Sequence, residues 1–196
     1  MKRIIILLPL LAITVTSGCA GSPELIRTSS VSTRSDVFQE LQDGGSIPVG
    51  YADLRITSSL KTHKPGIYSS TDVHGTPEYR LLINIDGQAV QLQGNLYAED
   101  IEPRGLRDPE AGEGIRYRFN KKLRLKTGTH KIVVAIPEDG IVVEREITLS
   151  EGRNNNLFLE PVYGSSTGKQ RPGFYGVTSF KEGLKWFVVI LNGKSL

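Results

Sequence analysis

The sequence has one cysteine, one methionine and one tryptophan in 196 residues, and three histidines. A disulfide framework is therefore excluded within the chain, and so is any metal cluster built on several thiolates. No run of 18 or more apolar residues occurs, which argues against a membrane-spanning helix. Charge of one sign is also missing. The 24 basic residues face 21 acidic ones, and Lys2 and Arg3 belong to an N-terminal leader. Without that pair, 22 basic residues remain against 21, a net of +1. Nucleic-acid binding needs clustered positive charge. It is excluded as a partner.

The leader accounts for the single cysteine. Lys2 and Arg3 precede an apolar stretch from Ile4 to Val15, interrupted by Thr14 and containing Pro9. Twelve residues span roughly 18 Å as a helix, short of a ~30 Å hydrocarbon core. Basic start, short apolar stretch and small-residue ending fit a cleaved export signal. Thr16-Ser17-Gly18-Cys19 closes it and resembles the lipobox of bacterial lipoproteins, with Thr16 where that family usually has Leu. The resemblance implies a diacylglycerol on the Cys19 sulfur, removal of residues 1–18 and an acylated new amino terminus. Ala20 stands where an aspartate would retain such a protein in the inner membrane, so the outer membrane is implied. An ordinary signal peptide, cut near Ala20 or Gly21, would instead leave the cysteine incidental. The absence of any pairing cysteine favours the lipid, because an unpaired exposed thiol is a liability in an oxidising compartment.

About 178 residues would follow cleavage, enough for one domain with a tether. Residues 20–35 are rich in Ser and Thr without a sustained period and read as a flexible tether. Asp36 with Gln39 suggests a capping box, and Gly44 and Gly45 a stop, which predicts a short helix over 36–42. From Tyr51 the pattern is β. Leu54, Ile56 and Leu60 alternate on one side, Asp86-Gly87 marks a hairpin, and breaks are expected at Asn120-Lys121, Thr127-Gly128 and Asp139-Gly140. Nine or ten short strands with frequent turns predict an all-β fold, an antiparallel immunoglobulin-like β-sandwich over 51–196 with one short N-terminal helix.

Residues 123–161, with Gly128, His130, Gly140 and Gly152 at matching places, resemble the PEGA-type β-sandwich modules of bacterial envelope proteins, although the naming tetrapeptide is missing. That resemblance implies an extracytoplasmic module used for binding or assembly.

Few residues suggest chemistry. Gly164–Gln170 has one residue too few for a phosphate loop and lacks its Ser or Thr. No serine sits in a nucleophile elbow, His130 falls within a strand, and Trp186 is expected in the core. The acidic loop holding Glu99, Asp100, Glu102, Asp108, Glu110 and Glu113 lacks the calcium-loop pattern and reads as solvated, partly neutralised by Arg104 and Arg107.

The segment between two strands at 63–79 is the richest in polar groups. His63, Lys64, Asp72 and His74 are the candidate ligand or partner residues there, with Tyr68, Glu78 and Tyr79 nearby. His63 and His74 are eleven positions apart, a spacing that matches no metal signature. The sequence therefore predicts neither a metal nor another cofactor, and no convergence of these side chains on one ion. The expectation is a non-enzymatic, lipid-anchored envelope module with another envelope protein or polymer as partner. The alternative is a small envelope hydrolase or metal-binding protein centred on His63, Asp72 and His74.

Overall fold

A computed structural model describes residues 22–42, 45–66, 71–103, 108–165 and 178–196. Cys19 and the leader, Gly44, Tyr68, Arg104, Arg107 and most of the 164–170 stretch lie outside the described residues. The elements are α1 (Ser22–Ser29), β1 (Phe38–Leu41), β2 (Tyr51–Thr62), β3 (Arg80–Ile85), β4 (Gln88–Gln93), β5 (Asn95–Ile101), β6 (Gly112–Lys126), β7 (Gly128–Ile136), β8 (Ile141–Leu149), β9 (Asn154–Tyr163), β10 (Leu184–Leu191) and β11 (Lys194–Ser195). Single 3-10 turns lie at Pro137–Asp139 and Phe180–Glu182.

The fold is an all-β sandwich. A seven-stranded sheet runs β1-β6-β2-β9-β10-β11, with β5 also paired to β6, and a four-stranded sheet runs β4-β3-β7-β8. Every pairing is antiparallel except β2 with β9, which is parallel from Asp53↔Asn154 to Ser58↔Leu159. Alternation places Leu54, Ile56 and Leu60 of β2 in one core with Leu81, Ile83 and Ile85 of β3 and Ile132, Val134 and Ile136 of β7. The Asp86-Gly87 hairpin forms as its sequence implies. Both residues take positive φ, 47° and 92°, which matches the right-handed twist of the strands. At Thr127 the chain passes from the large sheet to the small one, and Gly128 absorbs a φ of 126° there.

Three local expectations are corrected. Residues 36–42 are not helical, since Phe38–Leu41 form an edge strand paired with Leu125–Lys122. Gln88 decides this from another strand. Its Oε1 accepts from the amides of Val37 and Phe38, and its Nε2 donates to the Phe38 carbonyl. The large sheet thus starts at Phe38 and not at Tyr51. Helix appears inside the expected tether, at Ser22–Ser29. Pro23 suits a first turn, and Leu25 and Ile26 are half-buried while Glu24 and Arg27 pair in solvent. The helix lies against β8 of the small sheet. Asn84 fixes its end, donating from Nδ2 to the Ser29 carbonyl at 2.8 Å. The third correction is at Asn120-Lys121, where β6 runs on unbroken. Lys121 takes an inward-phase position yet pairs with Glu40 of β1, so a charge in the alternation does not end the strand.

These connections give the sandwich two distinct ends. The Asp86-Gly87 hairpin and the Thr127-Gly128 crossing occupy one, and the chain leaving α1 runs to it, with the Thr33 amide donating to the Gly87 carbonyl. The opposite end carries the loops at 63–79 and 102–111 and the turn at 137–139. No helix among the described residues is long and apolar enough to cross a membrane.

Candidate functional site

At that loop-bearing end, His63 leaves the end of β2, while Asp72 and His74 approach the start of β3. Gly75 brings the two arms together. Its φ is 75°, and a β-carbon there would stand 2.5 Å from the Pro65 ring, so only glycine lets the arms touch. Val73 packs on the core, and Tyr117 of β6 donates its hydroxyl proton to the Thr76 carbonyl at 2.7 Å. Residues 73–76 are therefore fixed from beneath.

His63, Asp72 and His74 converge there. Their ligand-type atoms all lie within 4.8 Å of one another. His63 Nε2 is 2.8 Å from Asp72 Oδ2, and His74 Nδ1 is 2.6 Å from Asp72 Oδ1. The His74 amide also donates to Oδ1, a local Asx contact that orients the carboxylate. The imidazoles lie against each other at 4.6 Å between centroids, and the ring series continues through Tyr79, Tyr117 and Phe119 into the core. The three side chains that the sequence left as separate candidates in one loop are thus neighbours. Lys64 does not join them, because its ammonium pairs with Glu113.

Asp139, sixty-odd positions downstream, completes the site. Its Oδ1 lies 2.8 Å from His74 Nε2, and its Oδ2 accepts from the buried Tyr79 hydroxyl at 2.6 Å. The turn at Pro137–Asp139 holds it, closed by Gly140 at φ 65°. The Asp139 hydrogen bond and the Asp72 carboxylate outweigh burial and raise the His74 pKa to about 9. Both histidines donate to Asp72, holding its carboxyl well below the usual range. Burial, then Asp139, pushes the Tyr79 phenol far up, so it remains a proton donor.

A second polar cluster lies on the outer face of the large sheet, beside the 102–111 loop. Arg116 Nε donates to Glu99 at 2.6 Å and its Nη2 to Glu110 at 2.8 Å, while the Tyr163 hydroxyl donates to Glu110 at 2.8 Å. Buried Lys61 gives its ammonium to the carbonyls of Glu110 and Gly112 and lies over the Phe180 ring at 4.9 Å. Burial lowers its pKa. Glu99 and Glu110 are thus tied to a cation and not simply solvated, as the loop composition suggests. Nothing local marks Arg116, Tyr163 or Asp139 as partners, since each meets its carboxylate or imidazole through sheet register. The other two sequence readings divide. His130 is a satisfied strand histidine, 2.7 Å from Asp86 and 2.9 Å from the Lys126 carbonyl. Trp186 is 47% exposed, and Phe187 fills the core instead. A register shift between Leu184 and Trp186 sets that phase.

No known protein family, characterised protein or solved structure matches this chain.

Proposed function

We propose that this chain is a lipid-anchored cell-envelope protein whose β-sandwich binds or assembles with another envelope protein or polymer without catalysis. The observation that carries this reading is the separation of the two ends. Helix α1, which begins three residues after Cys19, lies against β8 of the small sheet and sends only its far end, from Ser29 to Thr33, to the hairpin end, and both long polar loops leave the other. From Cys19 to Ser22 is three residues, at most about 11 Å of chain. A lipid on Cys19 then holds α1 at the membrane surface and leaves the loops at 63–79 and 102–111 to a partner. Two or three acyl chains insert stably where one would not. Ala20 favours the outer membrane.

Two of the three histidines favour a binding role over a hydrolytic one: His74 and His130 each have both ring nitrogens in hydrogen bonds. Fractionation of cells producing Cys19→Ser tests the anchor. Unprocessed precursor or soluble exported protein is expected, labelled fatty acid should enter the native chain and not the variant, and equal labelling of both would remove the anchor.

A further inference from the structure

We infer that His63, Asp72 and His74 form a binding site for one divalent first-row transition ion of zinc type. This rests on reading 63–74 as the ligand loop, and it is independent of the anchor. Three observations carry it. The donor set is two imidazoles and one carboxylate, borderline ligands that suit zinc and its neighbours and not calcium or magnesium, which take oxygen. A tetrahedral ion at about 2.0–2.1 Å from each donor separates them by roughly 3.3 Å. The present contacts of 2.8 and 2.6 Å, made to the two different oxygens of Asp72, open by about 0.5–0.7 Å toward that spacing, while the widest donor pair, no more than 4.8 Å apart, closes around the ion.

The third observation lies outside the triad. Metal-ligating histidines commonly donate their other N–H to a carboxylate, which fixes the ring and raises its basicity. His74 does this from Nε2 to Asp139, and Asp139 is itself locked by the buried Tyr79 hydroxyl. The 137–139 turn and Tyr79, the last residue before β3, thus orient Nδ1 toward Asp72. A surface ion pair needs no such support. The His63 side chain is 44% exposed, so solvent reaches the triad and a fourth position faces water or a donor group of the partner.

The full chain, purified in detergent and stripped with a chelator, is titrated with zinc against a chromophoric competitor, then with cobalt(II). One ion per chain is expected, with visible cobalt d–d absorption. His63→Ala and Asp72→Asn should each weaken binding at least 100-fold, and Asp139→Asn by about 10–100-fold. Lys64→Ala should leave affinity unchanged. Wild-type binding no tighter than that of His63→Ala, or no stoichiometric binding, overturns the site and makes the cluster an ion pair only. His63 is half-exposed, so its alanine variant retains the fold, which circular dichroism verifies. Either negative result leaves the anchor untouched, because lipid attachment to Cys19 is measured separately.

Discussion

Tyr79 and Asp139 meet at 2.6 Å, joining the residue just before β3 to the turn just after β7. The pair locks the loop-bearing end of the small sheet. Tyr79→Phe keeps the ring packing and deletes the donor, leaving a half-buried carboxylate oxygen without it. A loss of about 1–2 kcal/mol is expected in urea unfolding. A stability equal to wild type would mean that water replaces the hydroxyl at no cost.

Gly75 is the hinge of the same site. Gly75→Ala adds a β-carbon against Pro65 at a φ of 75°. The two arms should part, costing roughly 1–3 kcal/mol and lowering zinc affinity with it. Retained affinity and stability would show that the arms are held by other contacts.

Acid should act on the opposite end. The Arg124 hydrogen bond, ahead of Lys122, lowers the pKa of Asp53, whose side chain is buried between them. With the folded value below the unfolded one, the pair stabilises the fold above the unfolded pKa. That contribution disappears as pH falls through the folded value. Asp53→Asn should cost about 3 kcal/mol at pH 7, and the gap from wild type should narrow as the pH is lowered toward 3. A gap independent of pH would place the effect of the substitution elsewhere.

Much of the sandwich was legible because its signals are local. Leu54, Ile56 and Leu60 announce an inward face, and Asp86-Gly87 needs only its own backbone to turn. The misplaced elements are those that distant residues decide. Asp36 and Gln39 carry helix-start chemistry, yet Gln88 and the free edge of β6 recruit the segment as a strand. Leu25 and Ile26 gain a reason to form a helix only once the small sheet offers β8 to pack on. The site divides in the same way. His63, Asp72 and His74 stood out by composition, but their convergence depends on Gly75 meeting Pro65. Asp139 enters through the β3–β7 pairing, which no spacing in the loop encodes.

Asn84 offers a test of the helix. Its amide ties Ser29 to the sheet, and its Oδ1 accepts from the Gly87 amide. Asn84→Ala should destabilise by about 1–3 kcal/mol and expose α1, so that trypsin cuts after Arg27 sooner than in wild type. Unchanged cleavage would show that Leu25 and Ile26 suffice to hold the helix down.

Mass spectrometry of the N-terminal peptide of the mature protein tests the anchored reading most directly. The expected species begins at Cys19, with a diacylglycerol thioether on sulfur and an acylated amino group. A mature chain beginning at Ala20 or Gly21, with no lipid mass, would contradict it.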